Sequence, residues 1–302
     1  MSNPPFILAR YIYLTGMKSF FLLLMLFAIT IFKTNKVLCQ NLVDTNNMVR
    51  IEKSTFLMGL DSIHLQKDMV RFNEPASFFY EEYPAFRVTV PTFYLDKYEV
   101  SNAKYQKFVK ANPKWSKTNI PDSLHDGNYL KDWNGDIYPK GKAKYPVVYI
   151  NYYAANAYAK WMGKRLPGEA EMESAAKGRD KTAEFTWGNE NVDSKRANYE
   201  VSHVGSAQKV GSYKHNNLGL YDMAGNVFEL CADIWRPNAY QHLPINKQKV
   251  TIATGNYRVV VRGGGWNSPD VMLRTTYRQS QLMKACFADV GFRCALSIPT
   301  KP

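Results

Sequence analysis

LYDMAGNVFELCADIW, residues 220–235, joins a glycine turn carrying two acids, Asp222 and Glu229, to an apolar strand-like run from Asn226 to Ile234. Two further segments stand downstream of it, VRGGGWNSPD at 261–270 and GFRC at 291–294. Gly263, Gly264 and Gly265 in succession permit positive φ and close backbone approach beside Trp266, as a tightly packed turn beneath a pocket requires. Trp161, Trp187, Trp235 and Trp266 are large anchors for a core short of regular secondary structure.

Around these segments lie 302 residues, 45% hydrophobic and 14% aromatic, enough to bury one large core or two small ones. The formal charge is +13, and removing residues 1–39, which hold four bases and no acid, leaves +9. No block of five or more Lys and Arg occurs, and acids interleave the bases, so the surface reads as solvated and nucleic-acid binding is not expected.

Phe20–Phe32, FFLLLMLFAITIF, is an uncharged run of 13 residues preceded by Lys18. As a helix it spans about 20 Å, short of a ~30 Å hydrocarbon core, which favours a secretory signal peptide or signal anchor over 1–39, with Met17 as a plausible true start. Cleavage before Gln40 and lipidation of Cys39 both stay open, as does membrane association through this segment. After Cys39 only Cys231, Cys286 and Cys294 remain. Cys231 with Cys286 is the expected pair if one disulfide forms, and three buried thiols are the alternative.

Residues 40–49 form a polar lead-in. From there the pattern predicts strands within 48–58, an irregular stretch over 60–85, and two short strands broken at Pro91. Helices follow at 101–111, 153–162 and 168–177, separated by a long loop over 112–145. Short strands are expected at 182–188, 209–213, 226–234, 258–263 and 291–296. No repeat or linker divides the mature chain, so the fold class is α+β in a single domain with few helices and much irregular backbone. Glu169, Glu171 and Glu173 fall on different faces of the third helix and read as a solvated surface.

The segments at 220–235, 261–270 and 291–294, together with STFLMG at 54, VTVPTFYLDKYEVSNAKYQKFV at 88, PVVYINYYAANAYAKWMGKRLPGEAEMESAAKG at 146 and RANY at 196, resemble the formylglycine-generating-enzyme, or sulfatase-modifying factor, family in the expected order. The resemblance covers residues 50–298 and implies a C-type-lectin-like fold. It also implies a structural calcium ion held by the carboxylates of Asp222 and Glu229 and the carbonyls of Gly225 and Val227, a hard oxygen set suited to Ca²⁺. The bland reading is a turn whose acids cap backbone N–H groups. A second family calcium site, beginning at Asn198 and Tyr199, lacks its second acid in EVSHVGSAQK.

The family's oxidation depends on two thiols that bind copper(I). Their places are taken by Ser268 and Leu273, and Gly265 stands where serine is frequent, so copper is not expected and no catalytic residue is assigned. His64, His125, His203, His215 and His242 show no ligand spacing and read as surface or loop residues. No nucleophile elbow, P-loop or dinucleotide fingerprint occurs.

The expected function is a non-catalytic component of the cell envelope, exported to the periplasm, outer membrane or cell surface, where it binds a protein or glycan partner. ADIWRPNAY at 232 resembles the gliding-motility and type IX secretion lipoproteins of this superfamily. The alternative is a divergent formylglycine-generating oxidase, or another metal-dependent oxidase, acting on a protein cysteine in sulfatases. Tyr129, Trp133, Tyr138 and Tyr145 of the long loop, with the Trp266 region, mark a face that could stack on sugar rings, although burial is the commoner fate of such residues.

Overall fold

The computed structural model describes residues 44–242 and 257–298; the contacts divide the chain at Asp44, and everything below concerns the unit that follows. The expected signal segment, Phe20–Phe32, lies outside the described residues. Among the described residues no helix is long and apolar enough to cross a membrane.

Three small sheets carry the fold. One is antiparallel with β4 (Phe93–Asp96) between β1 (Met48–Ile51) and β9 (Ala295–Ser297). A hairpin-like pair joins β2 (Ser54–Met58) to β3 (Phe86–Val90) in full antiparallel register. The third has the order β7 (Arg278–Leu282), β6 (Arg258–Arg262), β5 (Phe228–Ile234), β8 (Val290–Gly291), antiparallel except for β5 with β8. Pro91 breaks the run at 86–96 into β3 and β4, as its missing N–H requires.

Four helices pack on this frame: α1 (Ser62–Phe72), α2 (Asn102–Ala111), α3 (Tyr152–Trp161) and α4 (Glu169–Lys177). Helices α2 and α3 meet the four-stranded sheet through Tyr105, Phe108, Tyr158 and Phe292, with Tyr105 and Tyr158 stacked at 5.6 Å. Helix α4 closes a second core made with Phe56, Leu95, Cys231 and Val260.

Several expectations need correction. Residues 60–85 are not irregular: Asp61 accepts from the Ile63 and His64 amides at 3.0 and 2.9 Å and starts α1, and a 3₁₀ helix follows at Ala76–Glu82. Leu65, Met69 and Phe72 face inward, but Ile63 and Val70 point to solvent on the opposite side, which blurs the helical period. Residues 182–188 carry only a Phe185–Gly188 bridge, and 209–213 form no strand. Strand β7, RQSQL, escaped notice because its place comes from main-chain pairing with β6 and not from apolar side chains.

The three cysteines after Cys39 are free and buried, so Cys231 and Cys286 do not pair. Cys286 and Cys294 pack as small apolar groups in one core and Cys231 in another. Of the four tryptophans expected as anchors, none is fully buried and Trp161 is 42% exposed; the buried indole is Trp133. The five histidines are exposed or half-buried, as expected.

The largest departure is α4. Glu169, Glu171 and Glu173 are buried, each by an arginine brought from elsewhere. Arg262 of β6 donates to Glu173 at 2.6 Å and to the carbonyls of Thr275, Thr276 and Tyr277. Arg278 of β7 donates to Glu169 at 2.6 and 3.1 Å, and Arg165 forks onto Glu171 with two bonds of 2.6 Å. Full burial alone would raise the Glu173 carboxyl, but Lys177 and Arg262 hold it below its usual range.

Removing one partner strands the others. Glu173→Ala takes the carboxylate from Arg262 and Lys177, which keep neutral carbonyl acceptors at hydrogen-bond distance, and from the Gly59 amide, and costs about 3–5 kcal/mol in denaturant unfolding; a loss below about 1 kcal/mol would show that the network does not hold α4 to the sheet.

Candidate functional site

The segment at 220–235 and the GFRC segment are locked together by one guanidinium. Arg293 is wholly buried and forks onto Glu229 with two bonds of 2.6 Å, while donating to the carbonyls of Asp96, Lys97 and Tyr221. Gly225 and Asn226 turn the chain at φ of 78° and 67°. A side chain at Gly225 would collide with the Asn198 carbonyl, so glycine is required there.

This turn folds over a buried acidic cluster. Asp222 accepts from the Gly211 amide at 2.5 Å through Oδ2, and its Oδ1 has no protein donor. Glu99 accepts from Asn226 Nδ2 at 2.8 Å through Oε1, and its Oε2 is likewise unpaired by any donor group of the described residues. Three carboxylates therefore face one guanidinium in a region closed to water. Burial, then Asp222 and Glu229, push Glu99 well above the usual carboxylate range. Burial also lifts Asp222, to about 6, against the lowering pull of the Gly211 amide and Arg293, with Glu229 pushing it up as well. Glu229 is raised by burial, which Arg293 offsets only in part.

Of the four expected calcium ligands, then, Asp222 offers a free buried oxygen, whereas both oxygens of Glu229 are occupied by Arg293. Gly225 and Val227 lie on the same turn. Among the described residues no three His, Cys, Asp or Glu side chains converge as a metal cage would. Glu99 is the group sequence reasoning missed; its one signal was an acid between Tyr98 and Val100 in an apolar stretch. Asn198 lends its carbonyl to the Asn226 amide at 2.8 Å, and Tyr199 packs beside Leu273.

Beneath the glycine run, Ser268 and Leu273 sit against adjacent backbone positions. Ser268 Oγ accepts from the Gly265 amide at 2.9 Å, and a Cβ built on Gly264 would lie 2.7 Å from Leu273 Cδ2. Leu273 is 1% exposed and packs with Phe185, Ala197, Tyr199 and Ala224. A serine at Gly265 would press on Asp289 Cβ at 3.1 Å. None of the three thiols packs in this cluster, and a hydrocarbon side chain beside an engaged hydroxyl does not fit copper(I), which wants soft donors.

A third feature lies beside Trp266. A cavity of about 390 Å³ opens between the long loop, residues 205–207 and the Trp266 indole. Tyr145 and Tyr149 are half-buried in its wall, and Trp133 closes its inner end. Tyr129 is buried, its hydroxyl 2.6 Å from that of Tyr105, and takes no part; Tyr138 packs edge-on against Trp133.

Residues 34–298 match the model of the sulfatase-modifying factor enzyme 1-like domain. The chain belongs to that family. Within the family it is 28% identical to the formylglycine-generating enzyme of Mus musculus over 84% of this chain and 76% of that one. It is 35% identical to a protein named serine/threonine-protein kinase Pkn1 of Chlamydia trachomatis over 72% of this chain, which spans only about a third, 35%, of that relative. The sulfatase-modifying-factor fold itself is matched by the structure of PvdO from Pseudomonas aeruginosa, with a TM-score of 0.63 and 24% identity over 83% of this chain and 94% of that one.

Raised carboxyl pKa values mean that the folded state binds more protons than the unfolded chain. The stability contributed by Asp222 is therefore full below about pH 4 and is lost as pH rises through about 6. Asp222→Asn, whose amide can donate to Glu99, flattens that decline and melts no lower than the parent at pH 8 in chelator. A variant that melts well below the parent at pH 8 in chelator would show instead that the ionised Asp222 carboxylate stabilises the fold.

Proposed function

We propose that this chain is a non-catalytic, exported member of the sulfatase-modifying factor family that serves the cell envelope as a binding or structural component, of the kind associated with gliding motility and secretion. The observation that carries the reading is Leu273, a wholly buried hydrocarbon packed among Phe185, Tyr199 and Ala224 in the place where the family's oxidation needs a thiolate. Ser268, the other position, spends its hydroxyl on the Gly265 amide. Burial pushes the Cys231 and Cys294 thiols well up, and Cys286 is raised in the same way with Asp126 beside it, so none of the three is a ready thiolate at neutral pH.

Export rests on the Phe20–Phe32 run and its preceding lysine, which also offers the route to the membrane surface. The partner is an envelope protein or glycan, and nucleic acid is not one. Calcium is the proposed structural ion of the 222–229 turn, with Asp222 as the side chain that has an oxygen to give and the carbonyls of Gly225 and Val227 as the main-chain ligands that the family resemblance implies. The kinase name of the chlamydial relatives is not carried over, since the match spans about a third of their length.

The competing reading is an oxidase of formylglycine type. Purified protein incubated with a C-x-P-x-R peptide, oxygen and copper leaves the peptide cysteine unchanged by mass spectrometry. Turnover that disappears when copper is chelated would overturn the proposal.

A further inference from the structure

The proposed binding role lacks a ligand, and the cavity beside Trp266 supplies the chemistry to name one. Its volume of about 390 Å³ lies within the range of about 300–1,000 Å³ that small-molecule sites occupy. Five separate stretches build it: Asn102 of α2, the loop at 132–149, the turn at 205–207, Trp266 and Ala288.

These walls are held firmly. Trp266 donates its indole N–H to the Ala288 carbonyl at 3.2 Å and its amide to the Asn226 carbonyl at 2.9 Å. Trp133 donates to Asn102 Oδ1 at 3.2 Å, and Asn102 Nδ2 in turn ties down the Lys142 carbonyl at 2.9 Å. Tyr149 is fixed by its amide on the Phe287 carbonyl at 2.8 Å and its own carbonyl on the Leu130 amide at 2.9 Å. Both Tyr149 and Leu130 adopt the left-handed region, at φ of 54° and 48°, which bulky residues enter only where the surroundings compel it.

The polar groups at the mouth are in the opposite condition. Neither the hydroxyls of Tyr145, Tyr149 and Ser206 nor the carboxylate of Asp132 makes a hydrogen bond to a described residue. The Lys142 ammonium lies 3.8 Å over the Tyr145 ring and has no anionic partner among them. A rigid aromatic wall thus carries an unspent rim of donors and one strong acceptor.

A pyranose ring has the complementary make-up. One face presents C–H groups that stack on aromatic rings, and its edge presents hydroxyls that each donate and accept. A purely apolar ligand would leave Asp132 and Lys142 desolvated without return, and a flat anion would meet Asp132. We infer that the Trp266 cavity is a carbohydrate site, with Trp266, Tyr145 and Tyr149 as the stacking surface and Asp132 and Lys142 as the groups that read ring hydroxyls. This inference rests on the reading of the chain as a binding component.

The experiment uses the exported form of the chain and follows tryptophan fluorescence, because Trp266 and Trp133 line the cavity, while titrating defined oligosaccharides. One arm carries neutral hexose and N-acetylhexosamine chains and the other carries uronic-acid chains. Saturable binding in either arm is expected, weakened about tenfold or more by Tyr145→Ala and by Asp132→Asn. Asp132 is exposed and Asp132→Asn keeps its shape, so that variant stays folded even if Tyr145→Ala does not. No saturable binding in either arm up to millimolar concentrations, or binding that both folded variants retain in full, overturns the carbohydrate site. Neither result bears on the non-catalytic reading, which falls only to copper-dependent turnover of the cysteine peptide.

Discussion

Buried guanidinium–carboxylate pairs are what the rest of this structure depends on. Its sheets have two, three and four strands, too small to bury a core by stacking alone, and long stretches between them have no regular hydrogen bonding. Arg293 clamps Glu229 and three carbonyls, Arg262 clamps Glu173 and three more, and Arg274 reaches from the segment after Leu273 to Glu82 and Asp68. Each pair has a neutral counterpart in hydrocarbon that would cost less to bury, so their gain is directional: a planar fork fixes where irregular backbone goes. The price is intolerance, since losing either member leaves a charge with nowhere to turn.

That constraint explains why so much of the fold was legible and where it was not. Glycine turns, Pro91 and the cap positions place α2, α3 and α4 to within a residue, because those signals are local. The acids of α4 misled for a reason of equal generality: a helix surface rich in glutamate reads as solvated unless one knows that Arg262 and Arg278 arrive from distant strands and that Arg165, just before the helix, folds back onto it. Helix α1 hid behind Ile63 and Val70, which are exposed, and β7 hid behind its polar sequence.

The candidate site divides in the same way. Ser268 and Leu273 were marked only by the family resemblance, and their burial beneath the glycine run follows from packing on Gly264 and Gly265. Asp222 was identifiable too, but its partner Glu99 lies more than a hundred positions earlier and meets it only in the folded chain. Tyr145 and Trp266 belonged to a face suspected from its aromatics. Tyr129 and Trp133 were drawn inward by hydrogen bonds to Tyr105 and Asn102 that no local pattern announces. Around a fixed scaffold, Leu273 packs as core while the hollow beside Trp266 keeps open polar groups.

The account turns on the position of Leu273, and copper(I) affinity reads it most directly. Competition with a chromophoric copper(I) chelator, run on the parent and on a Ser268→Cys, Leu273→Cys double variant, should find no tight copper(I) on the parent and one equivalent on the variant. Copper(I) held by the parent as tightly as by the variant would mean that the chain retains a soft-metal site elsewhere, and that its scaffold still serves an oxidation.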